Sequence, residues 1–277
     1  MRARAFAKVN LALRVGGVRS DGFHELSSLS QSIDLHDTVE LIDHGVEVDV
    51  SGVPTDHTNL ALAALEAVSE AAGGPPTGVR LTKRIPTRAG LAGGSADAAA
   101  ALGLGGERYG MDRSVLARIA PGIGSDVPFC LVGGSAIVSG RGEVVESLDP
   151  LGGFALGVVV PPLELSTAAV FAAFDGLGPG DPPSIGGSAL PPPLRDLGPL
   201  RNDLYRAAVS VAPGVADWRS ELESRWGRPV AMSGSGSSLF AYFTDWDEAA
   251  SACDDVPVGA RLAIGCTLMD RGWAIER

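Results

Sequence analysis

Lys8 and Asn10 stand two apart in A-K-V-N-L, so on a strand both side chains leave the same face. A cation beside an amide that can both donate and accept suits a polar substrate, although an exposed strand face explains the pair equally well. Asp126 sits in a glycine-flanked turn, G-S-D-V-P-F. An aspartate there ordinarily caps its own backbone, yet the same carboxylate can take a proton from a reacting hydroxyl. Arg19–Leu26, R-S-D-G-F-H-E-L, turns at Asp21-Gly22 and then offers Phe23 and His24, either to stack on and hydrogen-bond a planar ring or as a solvated aromatic and a structural histidine. The longest suggestive stretch is Lys83–Gly103, K-R-I-P-T-R-A-G-L-A-G-G-S-A-D-A-A-A-A-L-G. Pro86 opens a loop carrying Gly90, Gly93 and Gly94, and an alanine-rich segment follows from Ser95. Glycines let backbone N–H groups crowd onto a ligand, and a helix starting behind them aims its unpaired N–H groups at the same spot. That is a site for a phosphate chain; the alternative is an ordinary turn before a small-residue helix.

Other phosphate loops are excluded. No lysine follows a glycine, so G-x-x-x-x-G-K-[ST] is absent, and Gly122-x-Gly124 and Gly234-x-Gly236 lack the third glycine of the dinucleotide fingerprint. Protein-kinase signatures are also absent. A net charge of -11 argues against a nucleic-acid scaffold but not against a phosphorylated small molecule. Cys130, Cys253 and Cys266 have no C-x-x-C spacing, which speaks against a disulfide framework or a cysteine zinc site and fits a reducing cytoplasm. Lys8, Asn10 and Arg14 interrupt any apolar leader, and no apolar run is long enough to span a bilayer. The cations are arginine everywhere except Lys8 and Lys83. Arginine differs from lysine in shape and hydration and does not give up its proton, so a retained lysine is worth following.

The surrounding pattern supplies elements to hold these residues. Strands are expected over 4–15, over 27–42 with a turn at 34–37, over 46–50, 79–85, 154–160 and 266–275, with hairpins at 135–145 and 230–243. Helices are expected over 59–72, 95–102, 114–120 (broken by Pro121), 166–174, 202–211, 215–226 and 248–254. The Gly/Pro/Ser-rich stretch 176–199 reads as a loop. Alternating strands and helices in each half predict an α+β protein of two domains, 1–150 and 151–277, with a cleft between them.

Three separated segments, A-K-V-N-L, P-T-R-A-G-L-A-G-G-S-A and G-S-D-V-P-F, resemble the GHMP small-molecule kinases. The D-G-F-H stretch resembles the branch that phosphorylates the 2-hydroxyl of a cytidine-diphosphate-linked methylerythritol in the non-mevalonate isoprenoid route. S-T-A-A-V-F at 166–171, Asn202-Asp203-Leu204 and M-S-G-S-G at 232–236 keep the same order, so the resemblance covers nearly the whole chain. It implies an N-terminal ATP-binding domain and a ferredoxin-like C-terminal domain. Asp126 would be the base and Lys8 its charge partner. Asn10 would hold the sugar alcohol, and Phe23 and His24 the cytosine. The ATP phosphates would lie in Pro86, Thr87, Arg88, Ala89, Gly90, Leu91, Ala92, Gly93, Gly94, Ser95 and Ala96, with Asn59 at the base. Mg²⁺ would accompany ATP; its ligands are left open between Ser95 and Asp97, and Asp97 is equally explained by the helix dipole. Phe23 replaces a usual tyrosine, and Arg88, Ala89, Ala92 and Ala96 replace smaller or polar residues. The implied protein is a cytoplasmic monomer or weak homodimer with no nucleic-acid or membrane partner. A sister kinase for mevalonate, homoserine or a sugar, and a nucleotide-binding module without turnover, are the alternatives.

Overall fold

The computed structural model describes residues 1–178 and 180–276. Two long strands, β1 (Arg2–Val18) and β2 (His24–Ile42), pair antiparallel. Their register shifts between Phe6 and Lys8 and again between Asn10 and Ala12. Such irregularities bend a strand and re-aim side chains; here they isolate Lys8, Val9 and Asn10 as a short regular ladder. β3 (Val46–Val48) runs parallel to β4 (Gly78–Thr82). The second edge of β2 is shared: Thr38–Ile42 pairs with β4, and Leu26–Gln31 with β5 (Ser135–Gly140). β6 (Val144–Ser147) closes the β5 hairpin.

Four helices, α1 (Leu60–Ala72), α2 (Gly93–Tyr109), α3 (Arg113–Ile123) and α4 (Val127–Val132), accompany this sheet. α2 is the central one, touching β1, β2 and the other three helices. Its run from Ala98 to Leu102 is fully enclosed. Small side chains permit that closeness, and the Trp273 indole lies directly over Gly103.

The second sheet comprises β7 (Ala155–Val160), β10 (Ala231–Met232), β11 (Leu239–Phe243) and β12 (Leu262–Cys266), in the order β10-β11-β7-β12 and antiparallel throughout. Between β7 and β10 come α5 (Thr167–Gly176), the ribbon of β8 (Ser184–Ile185) and β9 (Leu200–Arg201), α6 (Tyr205–Val211) and α7 (Gly214–Trp226); α8 (Trp246–Asp254) joins β11 to β12. That order is the split βαβ of a ferredoxin-like unit. β7 reads as uniformly apolar because both faces are covered: Leu156, Val158 and Val160 join the core under the first sheet, and Ala155 and Val159 join the core beneath α6 and α7. β13 (Trp273–Ile275) then returns to the first sheet and pairs with β1.

The structure differs from the sequence expectations at several elements. No turn interrupts β2 at 34–37, because Asp34 binds Thr267 and Asp37 is buried against Lys83, so these polar residues have protein partners. α2 runs well past Leu102, since the helix cost of its later glycines, ~1 kcal/mol each, is offset by neighbours that pack against them. α3 continues through Pro121, which falls in its last turn and forfeits only one hydrogen bond. The expected single strand over 266–275 is two strands, β12 and β13, in different sheets. Asn202 precedes its helix instead of opening it, and its side chain donates to the Met232 and Gly234 carbonyls. Within 176–199 lie β8 and two short 3₁₀ turns, while Pro179 lies outside the described residues.

Candidate active site

Lys8, Asn10 and Asp126 meet at one side of a cleft of about 600 Å³. The Lys8 ammonium donates to Asn10 Oδ1 at 2.7 Å and lies 3.3 Å from Asp126 Oδ1. Asn10 is fixed from behind, its amide donating to Ser28 Oγ at 2.7 Å and Ser30 Oγ at 3.2 Å. The lysine side chain is only 6% exposed, whereas the Asp126 side chain is 43% exposed, so the cation is held in the wall and the carboxylate faces the opening. Asp126 precedes the first turn of α4, yet its carboxylate caps no backbone N–H. The ordinary explanation for an aspartate in such a turn is therefore absent, and the group is turned to Lys8 instead.

The loop 86–95 lines the same cleft, with Ala96 behind it in the helix. Ala92 precedes α2 in the left-handed region (φ 56°) and provides no side-chain cap, so the first N–H groups of the helix stay available to a ligand. Arg88 is also left-handed (φ 52°). Non-glycine residues held this way cost roughly 1–2 kcal/mol each, a strain that gathers at functional loops. Asn59 lines the cleft but its amide is engaged: Oδ1 accepts from Ala61 N at 2.9 Å, capping α1, and Nδ2 donates to the Pro54 carbonyl at 2.8 Å.

Residues of the second sheet and its turns hold the loop 86–95 in shape. Ser233 Oγ donates to the Gly90 carbonyl at 2.9 Å and accepts from Asn10 N at 3.1 Å; the Ser238 hydroxyl donates to the Ala89 carbonyl; Arg261 donates to the Thr87 carbonyl at 2.9 Å. Sequence reasoning missed these residues, although the M-S-G-S-G run that contains Ser233 was conspicuous. Gly90 (φ +75°) has no room for a side chain: a Cβ would lie 2.5 Å from the Ser233 carbonyl and 2.9 Å from that of Gly236. We expect Gly90→Ala to displace the loop and weaken binding of the phosphate-bearing ligand expected there roughly tenfold, a loss of about 1.4 kcal/mol readable by titration calorimetry.

Phe23 and His24 lie apart from this cleft. Phe23 is 48% exposed, with the Arg141 guanidinium 5.3 Å from its ring centroid. His24 borders an adjacent cavity of about 410 Å³. Its ring stacks on Phe171 of α5 (centroids 5.2 Å, interplanar angle 22°), and Nε2 lies 3.1 Å from Asp175 Oδ1. Arg141 lines the main cleft and so links it to Phe23. Phe171 carries no signal in the sequence beyond the S-T-A-A-V-F run.

The family described as GHMP kinases N terminal domain matches residues 59–134. The chain is 40% identical over 260 residues to the 4-diphosphocytidyl-2-C-methyl-D-erythritol kinase of Pelotomaculum thermopropionicum, covering 89% of this chain and 90% of the relative. It is 36% identical to the enzyme of that name from Streptomyces coelicolor, over 96% of this chain and 98% of the relative. A crystal structure of 4-(cytidine 5'-diphospho)-2C-methyl-D-erythritol kinase superposes with a TM-score of 0.77 at 35% identity, covering 97% of this chain and 99% of that one. The fold and this cleft therefore define a small-molecule kinase of the GHMP class. Within that class the chain belongs to the 4-diphosphocytidyl-2-C-methyl-D-erythritol kinase family.

Proposed function

We propose that this chain transfers the γ-phosphoryl group of ATP to the 2-hydroxyl of 4-diphosphocytidyl-2-C-methyl-D-erythritol, a step of the non-mevalonate isoprenoid route. The observation that carries this reading is the Lys8–Asp126 pair, one member walled in and the other open to the cleft that the phosphate loop lines. Asp126 accepts the proton of the attacking hydroxyl. Lys8 offsets charge on the transferring group. Pro86–Ala96 cradles the ATP phosphates with Asn59 near the base; Asn10 holds the sugar alcohol. Phosphoryl transfer asks mainly for positioning and charge stabilisation, which this set supplies.

Ser95 also fits Mg²⁺. It borders the cleft, and magnesium characteristically takes few protein oxygens beside phosphates and water. Asp97 does not fit, because one oxygen is tied to Lys83 and the other is enclosed. When bound, the ion neutralises phosphate charge. Residues 1–150 are assigned to ATP and 151–277 to the second domain, with β13 reaching back into the first sheet. No helix among the described residues is long and apolar enough to cross a membrane. The reading includes action on small molecules in the cytoplasm, as a monomer or weak homodimer.

Phe23 and His24 are assigned to the cytosine, supported by the exposed Phe23 ring and by the His24 ring, already stacked on an aromatic plane. ADP release from ATP and Mg²⁺ is expected with the cytidyl substrate and not with mevalonate or homoserine. His24→Ala is expected to weaken that substrate by roughly 1–3 kcal/mol while leaving the ATP KM alone. Turnover with mevalonate or homoserine instead would reassign Phe23 and His24. ATP binding without transfer to any acceptor would make the chain a nucleotide-binding module.

A further inference from the structure

The second of the two lysines lies under the same loop. Lys83 follows β4 directly and Asp97 lies one turn into α2, so the phosphate loop runs from one to the other. Across this gap the Lys83 ammonium bonds Asp97 Oδ2 at 2.5 Å and, on its other side, Asp37 Oδ2 of β2. Asp37 Oδ1 accepts the backbone N–H groups of Arg84 (2.5 Å) and Ile85 (2.8 Å), so the same carboxylate also pins the loop's first residues. The three side chains are 6%, 4% and 0% exposed, for lysine, Asp97 and Asp37 respectively. Burying three ionisable groups is costly, and one ammonium between two carboxylates leaves a surplus negative charge. Burial, with Asp37 nearby, pushes the Asp97 carboxyl above the usual carboxylate range.

This arrangement is more than core packing. Lys83 and Asp97 border the cleft, and Asp97 Oδ1 is enclosed there without a hydrogen-bond partner. The start of α2 is seated on the clasp as well: a Cβ on Gly93 would lie 3.0 Å from Ile85 and 3.5 Å from the Lys83 ammonium. Fixing both ends of a loop fixes where the N–H groups between them point.

We propose that Lys83, Asp37 and Asp97 form a clasp that closes the phosphate loop on itself, making Lys83 and Asp97 positioning residues for the nucleotide. The inference rests on the kinase reading, but it is tested by ATP binding without an acceptor, so the two fail separately. Asp97→Ala cuts the tie to α2 and leaves Lys83 and Asp37 as a balanced pair. It is expected to raise the Kd and KM for ATP roughly tenfold, with kcat at saturating ATP falling less than threefold. Asp97→Asn, which keeps an oxygen for Lys83, is expected to restore most of that loss. Leu104→Ala, in the buried part of α2, serves as a control that lowers Tm without touching the clasp. An unchanged ATP Kd in Asp97→Ala, or one matched by Leu104→Ala, overturns the proposal. If Asp97→Ala does not fold, Lys83→Met in the Asp97→Asn background replaces it; Asp37 keeps its two backbone donors there. The same tenfold loss is expected of that variant, and an unchanged Kd in it is equally fatal.

Discussion

Asp126→Asn is expected to lower kcat by roughly 10²- to 10⁴-fold, the usual worth of a positioned proton acceptor, with the ATP Kd nearly unchanged. The substitution keeps the shape of the side chain and an oxygen for the Lys8 ammonium, which stands 3.3 Å away. What it removes is basicity at the one carboxylate of this pair, and with it the proposed acceptor for the hydroxyl proton. ATP binding should survive because the loop is held by contacts that do not involve Asp126: Ser233 to Gly90, Ser238 to Ala89 and Arg261 to Thr87. Single-turnover kinetics beside calorimetric ATP titration separate the two quantities. Near-normal turnover in this variant would retire Asp126 as the base.

A second large effect is expected far from the reacting atoms. Gly272 lies against the backbone of α4: a Cβ there would overlap the Cys130 carbonyl, and one on Gly133 would overlap Gly272 in turn. The Gly272 carbonyl also accepts from Phe6 N at 2.9 Å, which ties it to the strand bearing Lys8. Backbone atoms cannot rotate away as a side chain can, so Gly272→Ala must push α4 off β1. Overpacking of this kind is expected to cost about 3 kcal/mol or more. The displaced helix is the one that Asp126 directly precedes, so kcat should fall with stability. A Tm within about a degree of the parent protein would show that the two backbones part more easily than this contact implies.

Much of this was legible in the sequence, and the reasons differ by element. The two-residue spacing of Lys8 and Asn10 was enough to place them on one face, because strand periodicity is local. The loop before α2 announced itself through glycine and proline, whose backbone constraints travel with the residue. Helix lengths were misjudged where tertiary contacts overrule local preference, as in α2 beyond Leu102 and α3 through Pro121. The 34–37 stretch looked like a turn because its polarity was assigned to solvent, whereas Asp37 has its partner in Lys83, remote in sequence. β12 and β13 were merged since nothing local records that the chain changes sheets. Ser233 and Ser238 could not be identified as supports of the loop 86–95, because their partners Gly90 and Ala89 lie so far away along the chain.

That distance has a kinetic meaning. Ser238 and Ala89 are separated by 149 positions, and Asn10 and Ser233 by 223. Contacts so remote in sequence demand the loop-closure entropy first and reward it only when the intervening chain is in place, so they form late in folding. The first sheet and its helices can acquire their hydrophobic pattern early. The loop before α2, shaped by the serine turn of the second sheet, gains its final geometry only once the two sheets have docked. On the proposed reading, competence to hold ATP is thus a property of the finished molecule, arriving after most of its secondary structure.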